Sequence, residues 1–218
     1  MKLVAVSLNN IIETLRQIVI LKYPEYISEK AQRRKIREEF SKIVSEQVSF
    51  GPNSDMLSYL KEAAITTELS HQSRNFIIVD EEVSDDKFEI LGFFTLALKI
   101  INVNYLDQTT RKSFVLSGKS ATNIDSIPGI LIAQFGKNLH FNKISGSQVM
   151  ELVIEKIQQG QSVLGGKMVY LDSVNCEKVI NFYEQFGFVK YGELIEDKHQ
   201  PDIFYQPMAL DMTKISNI

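Results

Sequence analysis

The last third of the chain contains two features that could bind a phosphate-bearing cofactor and donate a proton to it. A predicted helix opens at Ile144-Ser145-Gly146-Ser147 and runs to about Gln158. The first turn of a helix is a natural anion site, because its N–H groups lack helical partners. A second predicted helix carries Tyr183, whose hydroxyl can donate a proton. A thioester cofactor with a phosphate group would use both, so this region is the first candidate site.

The bulk composition is that of an ordinary globular protein. The 218 residues, 44% hydrophobic and 23% charged, suit one domain or a domain with an extension. The net charge of -3 argues against a protein that coats nucleic acid over its whole surface. A single cysteine, Cys176, excludes an internal disulfide and fits a reducing compartment. Because the histidines are scattered, at His71, His140 and His199, we expect no metal.

Neither a membrane span nor an export signal is predicted. No run approaches the ~18 consecutive apolar residues of a membrane helix. Polar residues, beginning at Ser7, interrupt the N-terminal apolar stretch before an export-type core can form. We therefore expect a cytoplasmic protein with no membrane partner.

The order of predicted elements indicates a mixed sheet flanked by helices. Strands are predicted at 74–80, 88–98, 129–138, 167–172, 188–191 and 204–212. The first two of these form a predicted hairpin, and the later strands alternate with helices. The polar segment 103–127 lacks strong periodicity, and its length indicates a functional or mobile loop. The predicted fold class is α/β (α+β), with a largely antiparallel central sheet.

Residues 1–50 differ from the rest of the chain. A short strand at 2–7 precedes an amphipathic helix, and a charged helix is predicted over Ser28–Gln47. The segment has nine Lys or Arg and six Asp or Glu, a balance of +3, which leaves -6 for the other 168 residues. Its basic run is interpreted as a solvated helix face, with contact to a polyanion as the alternative. We predict an extension over 1–50, packed on a core domain at 51–218.

The boundary between these two parts is marked by turn-forming residues at Gly51-Pro52-Asn53-Ser54. After it, Ser54 or Asp55 can cap a helix. Apolar residues that lie on or near one face of this predicted helix are Met56, Leu57, Leu60, Ala63 and Ala64. The core domain is therefore predicted to begin with a helix packed on the sheet.

Four segments between residues 54 and 212 resemble the GNAT superfamily of N-acetyltransferases. Residues 91–96, Leu-Gly-Phe-Phe-Thr-Leu, are similar to its glycine–aromatic third strand, and residues 132–138 to its cofactor-binding strand. Ile144-Ser145-Gly146 stands where the family has its pyrophosphate loop. The most specific match is Asn175 with Phe182-Tyr183-Glu184-Gln185-Phe186-Gly187-Phe188, which resembles the terminal helix signature. Within the superfamily, the chain is most similar to phage- or mobile-element-associated bacterial members, some of them toxin-like.

The resemblance implies an N-acetyltransferase that uses acetyl-CoA as cosubstrate and needs no metal. Tyr183 would be the general acid for the departing thiolate, and packing in an aromatic cluster is the alternative for this residue. The implied cofactor-binding residues are Phe135, Gly136, Lys137, Lys143, Ile144, Ser145, Gly146, Ser147, Gln148 and Asn175. Among them, the helix start would hold the pyrophosphate, and the strand at 135–137 would pair with the amide-bearing arm. An ordinary capped helix without a ligand, with Ser145 or Ser147 as its N-cap, is the alternative for 144–148, and Asn175 could instead cap its helix.

The chain departs from the family pattern at two places. The family loop has Gln or Arg, two residues, Gly, one residue, and Gly or Ala. Here Gly146 matches the last position, whereas Phe141 and Ile144 occupy the first two. Asn175 and Tyr183 are eight positions apart, where seven is more common. These departures bear on cofactor binding more than on the fold.

The acceptor is predicted only by class. No general base stands out, and Glu89, His71 and His140 are candidates by residue type alone. An α-amine of pKa ~7.7–8.0 needs a base less than a lysine does, which favours an α-amine or a small-molecule amine. A degenerate fold acting as a non-catalytic module is one alternative. Another is toxin-like acetylation of aminoacyl-tRNA, with phosphate contacts from Arg33, Arg34, Lys35 and Arg37. A homodimer is an open alternative to a monomer.

Overall fold

A computed structural model describes most of the chain. The described residues are 1–26, 28–51, 54–83, 88–104, 106, 108–114, 124–198 and 200–215. Predictions that rest on Pro52 and Asn53, on His199, or on 105, 107 and 115–123 of the polar segment lie outside the described residues. None of the helices within these ranges is long and apolar enough to cross a membrane.

The described residues form an eight-stranded mixed sheet, which confirms the predicted fold class. The strands are β1 (Leu3–Ser7), β2 (Arg74–Asp80), β3 (Gly92–Asn102), β4 (Ser126–Lys137), β5 (Met168–Val174), β6 (Val189–Lys190), β7 (Ile195–Glu196) and β8 (Phe204–Asp211). Their order is β1-β2-β3-β4-β5-β8-β6, with β7 also paired to β8. β4 and β5 are parallel, whereas β1–β2, β2–β3, β5–β8, β6–β8 and β7–β8 are antiparallel.

The helices are α1 (Leu8–Lys22), α2 (Glu29–Gln47), α3 (Ser54–Ser58), α4 (Ala64–Leu69), α5 (Gln108–Phe114), α6 (Gly146–Leu164) and α7 (Glu177–Gln185). A π-helical turn over Tyr59–Ala63 joins α3 to α4. The predicted charged helix is confirmed as α2, and the Ser28 hydroxyl accepts the Ala31 N–H as its N-cap.

By its contacts the chain divides into two compact units. The first comprises 1–96 and 134–156, and the second comprises 97–133 and 157–218. The division predicted at residue 50 remains a prediction.

In the first unit, α1 and α2 contribute to the core rather than only covering it. The buried residues of α2, Ile36, Phe40 and Val44, recur at four-residue spacing on one face. They join a hydrophobic cluster with residues of α1, β2 and β3. β1 pairs with β2 from Leu3↔Asp80 to Ser7↔Phe76, so the N-terminal strand belongs to the sheet.

A buried polar network fixes the π-helical turn against the sheet. The Tyr59 hydroxyl donates to Asn75 Oδ1 at 3.1 Å, and Thr95 Oγ1 donates to the same oxygen at 2.8 Å. Glu68 accepts the Asn75 N–H at 2.7 Å and pairs with Arg74 at 3.3 Å. Each buried polar group in this set therefore has a partner, as burial requires. The sequence predicted one uninterrupted helix here, because the π turn depends on these long-range partners.

In the second unit, the core lies on one face of β5 and β8. It contains Met168 and Tyr170 of β5, Ala209 of β8, and Phe114 of α5. The polar segment 103–127 therefore includes a helix, α5, that contributes an aromatic side chain to this core. Periodicity did not reveal α5, because only seven residues form it.

Several boundaries differ from the predicted ones, and among them β4 begins at Ser126 rather than at residue 129. β3 begins at Gly92 and continues to Asn102 instead of spanning 88–98. α6 continues past the predicted end near Gln158 to Leu164. β5 runs to Val174 rather than to residue 172. The shift of β3 has a physical reason, because hydrogen bonds between the side chains of Gln47 and Asn138 and the backbone of Phe88 and Ile90 hold residues 88–90 outside the strand ladder.

The Asn138 side chain connects three backbone segments of the first unit. It is 1% exposed and uses its full hydrogen-bonding capacity. Oδ1 accepts the N–H groups of Ser49 and His140, both at 2.9 Å. Nδ2 donates to the carbonyls of Gln47 at 2.7 Å and Ile90 at 2.6 Å. The end of β4 is thereby tied to the end of α2 and to the segment before β3.

We predict that Asn138→Ala lowers the free energy of unfolding by roughly 2–4 kcal/mol, because buried backbone groups lose their partners. Asn138→Asp should also destabilise, since a carboxylate cannot donate to the two carbonyls. Urea unfolding followed by circular dichroism measures both. Asn10→Ala, at an exposed position of α1, should change stability by less than about 0.5 kcal/mol. Wild-type stability for Asn138→Asp would show that the donated bonds contribute nothing.

Candidate functional site

The start of α6 is closed by a capping box. Ser145 is the N-cap, and its Oγ accepts the N–H of Gln148 at 3.2 Å. The Gln148 side chain returns the contact, because its Oε1 accepts the Ser145 N–H at 2.9 Å. This reciprocal pair confirms Ser145 as a capping residue. Ser147 lies within the helix, so the alternative that it is the N-cap is wrong.

Two first-turn amides stay available beside this capping box. Among the hydrogen bonds of the described residues, none uses the N–H of Gly146 or Ser147. Together with the positive end of the helix dipole, they can bind an anion. Ile144, by contrast, is buried, so its side chain anchors the turn. The predicted anion site therefore consists of two backbone N–H groups, those of Gly146 and Ser147.

Lys143 is engaged with another side chain. Its ammonium forms an ion pair with Glu89 and lies 5.4 Å from the centre of the Phe141 ring. Glu89, a candidate base by residue type, is thus the partner of a cation. The net charge that Lys143 could add at the helix start is offset by this carboxylate.

The end of β4 is held closely by its neighbours. Phe135, Gly136 and Lys137 are all partly buried, and Lys137 donates from Nζ to Asn142 Oδ1 at 2.7 Å. A Cβ built on Gly136 would lie 2.1 Å from the Met56 methyl carbon. A Cβ on Gly92 would lie 2.9 Å from the Gly136 carbonyl oxygen. Gly92 needs to be glycine, because a Cβ there would meet backbone, whereas at Gly136 the close atom is the end of a flexible side chain that can move aside.

The parallel pairing of β4 with β5 is short. Its register has three pairs, Gly129↔Met168, Ile130↔Val169 and Leu131↔Tyr170. β5 continues to Val174, and over this stretch it stays paired with β8. β4 also continues, to Lys137. The two strands are therefore adjacent in the sheet over only a part of their length.

Tyr183 lies in α7 within an aromatic cluster. Its ring centre is 5.2 Å from that of Phe182 and 5.7 Å from that of Phe188. Gly187 adopts a left-handed conformation, φ 83°, which ends the helix and lets the Phe188 N–H return to the Tyr183 carbonyl. This explains the Gly-Phe pair of the sequence motif. A tyrosine can pack its ring among aromatic side chains and still donate the proton of its hydroxyl. The aromatic cluster therefore does not decide between these two roles for Tyr183.

The phenol of Tyr183 is protonated at neutral pH, as an ordinary tyrosine already is. Tyr183 is only 8% exposed, and burial raises its pKa further. Tyr183 is therefore in the form that an acid requires.

Asn175 lies in the exposed turn before α7. Its N–H donates to the Phe204 carbonyl at 2.8 Å. The N-cap of α7 is Cys176, which makes no side-chain capping bond, so the interpretation of Asn175 as a cap is wrong. Its exposed side chain leaves the other interpretation, contact with a cofactor, as a prediction.

The histidines considered as bases have local roles. Arg74 Nη2 lies 2.9 Å from His71 Nδ1, within a turn where His71 has a φ of 60°. His140 is exposed on a loop and packs edge-on against Phe141, at 4.8 Å between ring centres. In the described ranges, no three His, Cys, Asp or Glu side chains converge as metal ligands do.

A charged cluster in the second unit was not found from the sequence. It joins Lys99 of β3 to Tyr170 and Asp172 of β5. The one signal in the sequence was the spacing of Tyr170 and Asp172, which places both on the same face of a strand. Their link to Lys99 could not be read, since it depends on strand pairing.

The sequence matches no family model and no curated protein, but solved structures share its fold. AtaT complexed with acetyl-methionyl-tRNAfMet has 11% identity and a TM-score of 0.55, over 74% of this chain and 85% of AtaT. A bacterial toxin has 18% identity and a TM-score of 0.56, over 78% and 83%. A tyrosine-to-phenylalanine mutant of KacT has 16% identity and a TM-score of 0.54, over 73% and 85%. The chain has the fold of these solved structures, the GNAT fold.

We predict opposite effects for alanine at two glycines. Gly92→Ala should destabilise by about 1–3 kcal/mol, because its Cβ meets the Gly136 backbone, which cannot move aside. Gly160→Ala is the matched control, since a Cβ there meets nothing within 4 Å in α6. It should stabilise by roughly 0.5–1 kcal/mol. Urea midpoints measure both changes, and a neutral Gly92→Ala would contradict the close approach of β3 and β4.

Proposed function

We propose that this protein transfers the acetyl group of acetyl-CoA to a primary amine. The observation that carries the proposal is the GNAT fold combined with the short β4–β5 register, which ends at Leu131↔Tyr170 although both strands continue. AtaT, which shares the fold at a TM-score of 0.53 and 11% identity, has been solved with AtaR and bound acetyl-CoA. The cosubstrate would supply an acetyl group activated as a thioester.

All but one of the groups that would hold the cosubstrate belong to the first unit, and Asn175 belongs to the second. The N–H groups of Gly146 and Ser147 would bind the pyrophosphate, with the capping box of Ser145 and Gln148 keeping the helix start in place. Backbone groups of Phe135, Gly136 and Lys137 would pair with the amide-bearing arm. Ile144 anchors the turn from its buried position, whereas Lys143 and Asn175 would make peripheral contacts.

Tyr183 would serve as the general acid. Its hydroxyl is protonated at neutral pH, as that of an ordinary tyrosine is, and burial raises its pKa further. As the amine nitrogen bonds to the carbonyl carbon and the carbon–sulfur bond breaks, Tyr183 would donate its proton to the sulfur. The proton lost by the amine passes to solvent, from which Tyr183 is reprotonated. Each turnover thus leaves the tyrosine unchanged.

The α-amine of an aminoacyl-tRNA is the finer candidate for the acceptor. It is supported by the likeness to AtaT, whose complex contains acetyl-methionyl-tRNAfMet. The basic run of α2 supports it less. Each of Arg33, Arg34 and Lys35 pairs with a glutamate of the same helix, at 2.5 to 3.6 Å. Such i,i+4 pairs are typical of a solvated face, so the phosphate contacts would come from elsewhere.

A non-catalytic module with this fold is the second candidate. The capping box and the Lys143–Glu89 pair favour it, because both use groups that could otherwise face an anion. The two candidates differ in cosubstrate binding and in turnover. A homodimer and a cytoplasmic location remain predictions from the sequence.

We predict that acetyl-CoA stabilises the fold. At about 100 times its dissociation constant, a ligand that binds only the folded state adds about 2.7 kcal/mol, which differential scanning fluorimetry detects as a higher melting temperature. Desulfo-CoA tests whether the thioester end contributes. No shift at millimolar acetyl-CoA would refute both the acetyltransferase and its pyrophosphate site.

We predict that Tyr183→Phe retains acetyl-CoA binding but loses turnover by roughly 10²–10⁴-fold, because phenylalanine preserves the packing and removes the proton donor. CoA release, followed with a thiol reagent, measures the rate. Tyr26→Phe, at a partly buried position in the loop after α1, is the matched control and should match the wild-type rate. Wild-type turnover in Tyr183→Phe would show that this tyrosine is not the acid.

A further inference from the structure

We propose that the Asp172 carboxylate binds the acceptor amine as its ammonium ion, which then loses a proton to solvent before the nitrogen attacks. Tyr170 positions the carboxylate, and Lys99 occupies the same place when no acceptor is bound. This inference rests on the proposed function, since it identifies the acceptor-binding group of the same reaction. All three residues belong to the second unit. No part of this cluster was assigned a role by the mechanism above.

Asp172 lies at a distinctive point of β5. The last pair of β5 with β4 is Leu131↔Tyr170, two residues before Asp172. At Asp172 the strand has its partner on the β8 side, through the pair Asp172↔Pro207. Strand β5 then leads directly into the turn before α7, the helix of Tyr183. The carboxylate therefore stands on the strand that also precedes the proposed acid.

The carboxylate is held in one orientation by a buried phenol. The Tyr170 hydroxyl donates to Asp172 Oδ1 at 2.6 Å, a short, charge-assisted hydrogen bond. Tyr170 is itself 4% exposed, and its ring meets the Tyr191 ring edge-on at 5.7 Å. A donor this well packed cannot follow a moving carboxylate, so Asp172 has little freedom to rotate.

The second oxygen of Asp172 is open to a further donor. Its nearest charged neighbour is the Lys99 ammonium at 3.8 Å from Oδ2, which is beyond hydrogen-bonding distance. Among the described residues, Oδ2 accepts no hydrogen bond. The side chain of Asp172 is 34% exposed, so a ligand can reach it from solvent.

Lys99 shows which ligand chemistry suits this position. Its ammonium lies 4.1 Å from the centre of the Tyr170 ring, in a cation–π contact, as well as beside the carboxylate. A primary alkylammonium therefore already has two complementary partners here. Lys99 is 38% exposed on a flexible stem and its ion pair is of the weak, solvent-accessible kind. An acceptor ammonium can take its place with a closer, hydrogen-bonded contact.

The probe for this inference is methioninamide, a primary α-amine that is cationic and has no carboxylate. With saturating acetyl-CoA, CoA release is followed against the concentration of methioninamide. Asp172→Asn should raise the KM for this amine by about 10- to 100-fold, the contribution of a charge-assisted hydrogen bond. The melting-temperature shift with acetyl-CoA should stay at the wild-type value, which also shows that the variant is folded.

Lys99→Met distinguishes binding of the acceptor by Asp172 from a purely structural role of Asp172. If Lys99 occupies the acceptor position, removing its ammonium should lower the KM about two- to fivefold, the range of an exposed ion pair. Tyr170→Phe should raise the KM less than Asp172→Asn, without changing kcat. Asp202→Asn, an exposed carboxylate elsewhere in the second unit, is the matched control with wild-type kinetics.

The outcomes separate this inference from the proposed function. An unchanged KM in Asp172→Asn overturns the inference and leaves the acetyltransferase standing. Equal increases of the KM in Asp172→Asn and Lys99→Met also overturn the inference, because the carboxylate would then serve only to hold Lys99. A wild-type protein that shows the acetyl-CoA shift but no release with methioninamide overturns the inference alone. Absence of both overturns the proposed function as well.

Discussion

The first unit depends on one buried amide, that of Asn138. A side chain that is 1% exposed must satisfy every polar atom it carries, and here four backbone groups do so. Its position fixes where β4 ends, and it holds Ile90 outside the strand, so that β3 begins at Gly92. The close approach of Gly92 to the Gly136 carbonyl follows from this arrangement. The residues proposed to hold the cosubstrate are placed on either side of this amide in the sequence.

The two candidate parts of the site are built by different forces. At the start of α6, local hydrogen bonds suffice, because Ser145 and Gln148 satisfy each other over three residues. At Tyr183, burial among aromatic rings both orients the phenol and raises its pKa. The proposed acceptor carboxylate adds a third, electrostatic component.

Much of the fold could be predicted, because it is encoded in local patterns. The charged stretch Ser28–Gln47 indicated α2, and the run of apolar residues after Arg74 indicated the β2–β3 hairpin. The site was predicted in part, since Ser145 was recognised as a cap from its residue type and position. What local patterns missed were features with distant partners. The π turn at Tyr59 depends on Asn75 and Thr95, and α5 depends on a core that it shares with β5 and β8.

By itself, the sequence determined the fold class, the helix start at Ser145, and the motif that contains Tyr183 and Gly187. These follow from periodicity, capping and backbone conformation, which act over a few residues. Only the tertiary structure decided that Lys143 faces Glu89, that Asn175 does not cap α7, and that Asp172 lies between Tyr170 and Lys99. A charged group takes its role from whichever partner comes within a few ångströms. That partner is set by strand pairing and loop packing between residues far apart in sequence.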